Sequence, residues 1–337
     1  MSKRVRMLDI ARTAGVSQTT VSLVLNRVPN VRIAEDTRQR VFDAARELGY
    51  APGPSLAEPT TSSLRRFGVL INEISAAYPI DLIEGLQTLA DDQGVQLIIQ
   101  VTGGLADREA AALETLRVLG VEGIIYASTF TAIVEPTTAL SALPHVLLNC
   151  RRADGVGTAI VPAERAGGFL ATRHLIERGC KRIATITGDP WQEATRARLH
   201  GYRHALRRAG LSVPEHFVRT GDWSHHSGDD SASQLFALSD SPDGIFCHND
   251  KIARGAIAAA RRLGVAIPED VAIVGYDDRE FAADLEPSLT SVTLPHAEMA
   301  ERAMTVLLKG KAGLDRPLRR VHGRLIERAS SSRQGAR

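Results

Sequence analysis

Two periodicities divide the chain. In residues 1–50, apolar positions recur at helical spacing over three short segments, 7–13, 17–26 and 36–48. In the third, Val41, Ala44, Ala45 and Leu48 fall at i, i+3, i+4 and i+7, and Gly49 follows where a left-handed residue ends a helix. From Phe67 onward, short apolar runs alternate with helix-period segments. The pattern predicts strands at 67–71, 95–101, 123–127, 145–148, 182–187, 244–247 and 271–275, and helices at 81–93, 165–179, 195–209 and 250–263. Such alternation implies parallel sheets with helices on both faces. Between the two regions, residues 51–66 contain Pro52, Gly53, Pro54, Pro59 and a Thr60-Thr61-Ser62-Ser63 run, the composition of a linker.

Length and charge sharpen this picture. At about 150 residues per domain, 337 residues make roughly two domains, and some 270 residues of alternating pattern exceed one compact sheet, so the body is expected to divide into two lobes. Net charge is +2, but residues 1–50 carry nine Lys/Arg against five Asp/Glu, leaving the remainder slightly acidic. A basic head on an acidic body points to an anionic partner, most simply nucleic acid, although a solvated basic surface has the same composition. No apolar run approaches the roughly 18 residues that span a bilayer, and the first residues do not read as an export signal. Cys150, Cys180 and Cys247 are odd in number and lack CxxC spacing, so a reducing cytoplasm is expected, with neither a disulfide framework nor a zinc cluster.

Segment 7–26 meets the steric demands of a helix-turn-helix. Ala11 is small enough for a second helix to cross closely, Gly15 supplies the left-handed residue of a tight turn, and Ser17 can cap the second helix. Ile10, Val16, Val21, Val24 and Leu25 are the expected shared core. That leaves Gln18, Thr19, Ser22, Leu23 and Asn26 on or near an outward face, and with Ser17 they are the candidate DNA contacts. An ordinary helical hairpin is the plainer reading of the same pattern. The runs Asp9-Ile10-Ala11, Ala14-Gly15-Val16-Ser17, Thr20-Val21-Ser22 and Val24-Leu25-Asn26, continuing through Thr37-Arg38 and Leu48-Gly49-Tyr50, resemble the head of the lactose/galactose repressor family.

Body motifs extend the resemblance over the chain up to Ser330. They include Arg198-Leu199-His200-Gly201-Tyr202, Gly221-Asp222-Trp223, Asn249-Asp250, Gly275-Tyr276-Asp277-Asp278 and Leu289-Thr290-Ser291-Val292. Independently of any family, Asn72, Asn149, Asn249 and Asp277 each stand at or just beyond the end of an apolar strand, where parallel sheets bind ligands. Arg198 and Asp277 can form charged bonds to hydroxyl or carboxyl groups, and Trp223 offers a flat apolar face. Asp277 and Asn249 can equally be helix caps, and Trp223 core packing. The resemblance places Asn72, Tyr78, Asn149, Arg198, Trp223, Asn249 and Asp277 at effector-contacting positions. It also implies a departure: Leu294 precedes Pro295 where many members carry Gln, so a ligand hydroxyl contact is expected to be missing there.

The expected architecture is α/β, with a three-helix head at 1–50, a hinge at 51–66, a two-lobed periplasmic-binding-protein-like body at 67–330, and a disordered tail at 331–337. One lobe is assigned about 67–160 plus a return near 291–318, the other about 161–290 plus 319–330. The expected function is an effector-controlled transcriptional regulator, acting as a repressor. As a homodimer it binds a pseudo-palindromic double-stranded operator, because one recognition helix reads too few base pairs alone. The expected effector is a carbohydrate, although nucleobases and amino acids also suit such a scaffold. The alternative is a solute-binding module without a regulatory role, which lacks a helix-turn-helix and needs an export signal. In the family, a leucine of a short hinge helix wedges into the minor groove. Here Pro59 occupies its place and ends any hinge helix by about Ala57, so either Leu56, one turn earlier, is the wedge or the hinge stays extended and the operator bends less than is usual for the family. Enzyme readings find little support. Gly155-Val156-Gly157 lacks a third glycine, no phosphate loop occurs, Cys150 has no evident histidine partner, and His225-His226 reads as a solvated loop. No cofactor, metal or membrane partner is expected.

Overall fold

The computed structural model describes residues 6–25, 33–48, 50, 65–74, 81–310 and 318–332. Asn26, Leu56 and Tyr78, like the linker prolines, lie outside the described residues. The chain forms two compact units, 1–64 and 65–337.

The first unit holds α1 (Met7–Ala14), α2 (Gln18–Leu25) and α3 (Glu35–Glu47). At the start of α1 the Arg6 amide donates to the Asp9 carboxylate at 2.9 Å. Gly15 ends it at φ 65°, and the Val16 amide reaches back to the Ala11 carbonyl at 3.0 Å. Ser17 caps α2, its hydroxyl accepting from the Thr20 amide at 3.0 Å. Ile10, Ala11, Val21, Val24 and Val41 are buried together, with Val16 and Leu25 packed at the margin.

The second unit is two lobes, each a six-stranded sheet. The first sheet contains β1 (Arg65–Ile71), β2 (Val95–Val101), β3 (Gly123–Ile133), β4 (His145–Arg151), β5 (Ala159–Pro162) and β11 (Leu318–Val321), in the order β11-β5-β4-β3-β1-β2. The second contains β6 (Ile183–Ile186), β7 (Val218–Arg219), β8 (Gly244–Cys247), β9 (Ala272–Asp277), β10 (Thr290–Thr293) and β12 (Leu325–Ile326), in the order β12-β10-β9-β8-β6-β7. All pairings are parallel except β10 with β12. Central strands such as β8 are buried along their whole length, which is why they read as unbroken apolar runs. Around the sheets lie α4 (Asp81–Asp92), α5 (Ala106–Val118), α6 (Glu164–Glu177), α7 (Glu193–Arg208), α8 (His225–Phe236), α9 (Asp250–Leu263), α10 (Phe281–Asp284) and α11 (His296–Leu308).

The chain passes between lobes after β5, after β10 and after β11. The α11 helix returns to the first lobe, where Met299, Ala303 and Leu307 join the core beneath β1 and β3. Three details differ from the sequence expectation. Residues 291–293 belong to the second sheet and 318–321 to the first, because four-residue strands with mixed polarity carry no sign of which sheet they will join. Ser331, where a disordered tail is expected to begin, is buried together with Ser330. The Ser330 hydroxyl donates to the Ile273 carbonyl at 2.7 Å, and Ser331 meets His174 Nε2 at 2.8 Å. His225 and His226 open α8 rather than a loop, their helix capped by the Ser224 hydroxyl.

Helices α6 and α7 cross at glycines. A Cβ on Gly168 would stand 2.3 Å from the Arg198 carbonyl oxygen, and one on Gly201 2.2 Å from that of Arg165. Backbone cannot rotate out of the way as a side chain can. Gly168→Ala is therefore expected to destabilise the protein by about 1–3 kcal/mol, outweighing a helix-propensity gain of about 1 kcal/mol. Thermal unfolding checks this; a melting temperature equal to or above wild type would contradict it.

Candidate functional site

The carboxyl ends of both sheets meet at one cavity of about 100 Å³, lined from the first lobe by Thr129, Phe130, Thr131 and Asn149 and from the second by Arg198, Trp223, Asn249 and Asp277. Five of the seven effector positions inferred from sequence thus come together. Asn72 stands one layer back: its side-chain oxygen accepts from the Thr129 amide at 3.0 Å and orients that residue without lining the cavity. Tyr78 is outside the described residues.

Arg198 is the centre of the site. Its side chain is 4% exposed, its Nε donates to Glu164 Oε2 at 2.6 Å, and its Nη2 donates to Glu164 Oε1 at 2.9 Å, a bidentate pair from the second turn of α7 to the first residue of α6. Nη1 donates to the His248 carbonyl. The guanidinium lies 3.6 Å from the Tyr276 ring centroid and 5.6 Å from that of Trp223. Burial opposes the charge, but Glu164, Tyr276 and Asp277 together hold it more firmly protonated than a free arginine. Most of its donor fork is thereby committed within the protein, so it shapes the cavity floor more than it offers a free cation.

Asp277 Oδ1 stands 3.7 Å from Arg198 Nη1, beyond hydrogen-bond distance, on a side chain 19% exposed. Burial pushes its pKa up to about 6, with Arg198 opposing and Glu164 adding to the rise. Behind it, Asp250 is fully buried. Its carboxyl accepts from the Arg279 amide and the Ser291 hydroxyl, each at 2.6 Å, and burial with Asp277 nearby raises its pKa to about 8. His248 is buried with neither ring nitrogen hydrogen-bonded among the described residues. Burial, then the Arg198 charge, hold it neutral far below the usual imidazole range.

Asn249 is the helix cap that its pattern allowed: its side-chain oxygen accepts from the Ile252 amide at 2.8 Å. Its Nδ2 remains directed to the Trp223 carbonyl at 3.1 Å, so capping and cleft lining coexist. Asn149 accepts from the Thr131 hydroxyl at 2.9 Å and donates to the Ser128 carbonyl at 3.0 Å. Among the described residues, the non-glycines at positive φ are Asn149 (57°), Trp223 (69°), Asp277 (100°) and Asp278 (55°). Three of these line the cavity and the fourth adjoins one of them. Left-handed backbone is tolerated by Asn and Asp but costs a tryptophan of order 1–3 kcal/mol, and such strain concentrates where geometry serves a ligand.

Several lining residues escaped the sequence reading: Thr129, Phe130, Thr131, Glu164, Gln192 and Arg279. The first three lie on β3 beyond Ala127, and the β-branched and aromatic Thr-Phe-Thr run was the available signal for extending that strand. Nothing local marks Glu164, whose partner is 34 residues away. Cys150 is fully buried, and burial pushes its thiol far up, leaving a packed apolar group. In the head, Ser17, Gln18 and Thr19 are exposed and Ser22 and Leu23 half-buried along α2.

Contacts across the cleft hold the lobes together. Arg151 of β4 pairs with Glu193 of α7 at 2.8 Å, the Thr131 hydroxyl donates to Glu164 at 3.3 Å, Phe130 meets Trp191 edge-on at 5.7 Å, and Arg279 stands 3.9 Å from Asp81. The cavity walls thus come from both lobes.

Residues 6–53 match the family described as bacterial regulatory proteins, lacI family, and residues 172–331 match the periplasmic binding protein-like domain. The chain is 34% identical over 306 residues to the ribose operon repressor of Escherichia coli, covering 90% of this chain and 92% of the relative. It is 31% identical over 326 residues to the HTH-type transcriptional repressor PurR of Vibrio atlanticus, covering 96% and 97%. The solved structure of the lac repressor dimer bound to operator and the anti-inducer ONPF aligns with a TM-score of 0.72 and 25% identity, over 98% of this chain and 99% of that one. The complex of the transcriptional regulator CelR with cellobiose aligns with a TM-score of 0.66 and 29% identity, over 97% and 100%. With a helix-turn-helix at one end and a two-lobed ligand cleft in the body, matched over nearly their full length by such relatives, the chain belongs to the lacI family of bacterial regulatory proteins.

Proposed function

We propose that this protein is a repressor that binds a pseudo-palindromic operator as a homodimer in the cytoplasm and changes its DNA affinity when a small, neutral, polyhydroxylated ligand enters the cleft. The observation that carries this reading is the cavity itself, walled by both lobes in a chain that also carries a helix-turn-helix. Trp223, Phe130 and Leu294 supply apolar faces for a sugar ring, while Asp277, Asn149, Asn249 and Gln192 supply acceptors and donors. Because Arg198 is already neutralised by Glu164, the balance favours hydroxyls over a strongly anionic ligand. The curated relatives named above are repressors, and we read this chain as a regulator rather than an enzyme.

Selection from a random duplex library should yield a two-fold-symmetric site, and a thermal-shift screen of monosaccharides should find a ligand that alters affinity for it. An asymmetric selected site, or ligand binding without any effect on DNA affinity, would contradict the proposal.

Asp277 offers a sharper test. As a carboxylate it accepts from ligand hydroxyls, and its folded-state pKa is raised to about 6, so the accepting form is present above pH 6 and lost below it. Ligand affinity measured by calorimetry should be flat from pH 7 to 8 and fall about tenfold per unit below pH 6. In Asp277→Asn that slope should vanish and affinity at pH 7.5 should drop by at least tenfold. A wild-type profile flat down to pH 5 would exclude the carboxylate as a ligand acceptor.

On the DNA side, Leu23 on α2 is proposed to make an apolar contact, such as with a thymine methyl, while Ser17, Gln18, Thr19 and Ser22 supply polar contacts. Leu23→Arg should shift base preference toward guanine at one symmetric pair of positions. Repeating the selection with an unchanged consensus would show that Leu23 does not face the bases.

A further inference from the structure

A second, wider cavity of about 710 Å³ lies on another side of the lobe junction. Two of the three chain passages between lobes form its wall: Val161 to Glu164 after β5, and Arg320 with His322 around the end of β11. The rest is one face of α7, with Glu193, Ala197, His200, His204 and Arg208 at helical spacing, and the first turns of α6 with Arg165 and Phe169.

Its charge is lopsided. The two glutamates that line it are already neutralised, Glu164 by Arg198 and Glu193 by Arg151. Arg165, Arg208 and Arg320 form no ion pair among the described residues, and His200, His204 and His322 share the same wall. The crowding is sensed locally: Arg165 first, then slight burial, Arg207, His204 and Arg203, hold His200 below the usual imidazole range. Phe169 and His204 meet at a tilt, ring centroids 5.2 Å apart, and give the groove an apolar surface beside its cations. A concave site of several hundred Å³ with convergent arginines and histidines suits a small phosphorylated molecule, because a guanidinium matches phosphate oxygens in bidentate geometry. Thr131 and Glu164 line this groove and the ligand cleft alike, so the two cavities share a wall.

We propose that this groove is a second binding site, for a small metabolite bearing two or more phosphate groups, and that its occupancy changes the angle between the lobes. Ligand phosphates bridge Arg320 on the first lobe's edge strand and His322 just beyond it to Arg165 and Arg208 on the helices of the second. Seated on two of the three passages, the ligand acts on the hinge itself. The inference stands on the groove alone and does not require the operator or the cleft ligand to be known.

Inorganic pyrophosphate is the probe, titrated into the full-length protein by calorimetry at fixed ionic strength. Intrinsic fluorescence is followed in parallel, since Trp191 and Trp223, the only two tryptophans of the sequence, sit at the lobe junction outside the groove. One pyrophosphate should bind per chain, with a saturable fluorescence change at the same midpoint. Arg165→Ala/Arg320→Ala and, separately, the exposed Arg208→Glu should each weaken binding at least tenfold. Arg117→Ala, on an exposed pair with Glu114 in the other lobe, should leave it unchanged. Absence of binding, or equal loss in Arg117→Ala, would overturn the site. Binding without a fluorescence change would overturn the hinge effect. If Arg208→Glu instead weakens affinity for a random-sequence duplex with no pyrophosphate present, the groove is a DNA-binding face and the proposal fails.

Discussion

The buried ion pair between Arg198 and Glu164 is the constraint on which the cleft depends. Both side chains are 4% exposed, and removing two such charges from water costs several kcal/mol per ion unless geometry and further hydrogen bonds compensate. Here they do so from four directions. Glu164 fixes two guanidinium nitrogens, the His248 carbonyl takes a third, the Tyr276 face covers the plane, and Thr131 reaches from the other lobe to Glu164. These demands account for much of the surrounding sequence. The two helices that carry the pair must approach until their backbones touch, which requires Gly168 and Gly201. The backbone after β8 must present its carbonyl inward, which leaves His248 buried and neutral. Asp277, close to the same cation but outside bonding distance, is left with an accepting oxygen for a ligand.

The pair also links the two parts of the cleft that a ligand touches. Glu164 is the second residue after β5, at the first passage from lobe to lobe, and Arg198 sits in the second turn of α7, whose first residue, Glu193, binds Arg151 of the opposite lobe. Under the function proposed above, a ligand that reaches Asp277 and Asn249 would act on an element wired to both lobes. Strain at Asn149, Trp223 and Asp277 fits this view, since packing that over-determines the backbone also holds the ligand's contacts ready before it arrives.

What could be read from sequence followed the range of the interactions. The head was legible nearly residue by residue, because Gly15, Ser17 and the Ile10, Val21 and Val24 core act within one or two helical turns. Strand ends bearing Asn149, Asn249 and Asp277 were legible because parallel sheets place ligands there, whatever the chain order. Glu164 was not, since a buried charge is recognisable only with its partner and the partner comes from another helix. The short strands β10 and β11 were assigned to the wrong lobes for a related reason: four residues of mixed polarity do not say which edge they join. Phe130 and Thr131 were missed because a strand was ended at Ala127, although the polar residues beyond it are polar in order to face the cleft.

Unfolding measurements on Arg198→Met, Glu164→Leu and the double variant test the central role of the pair most directly. Each single variant leaves an uncompensated buried charge and should cost about 3–5 kcal/mol. The double variant should cost far less than the sum of the two, a coupling of several kcal/mol. Additive losses, with the double variant as destabilised as both singles together, would show that the two side chains stabilise the fold independently and that the pair does not organise the cleft.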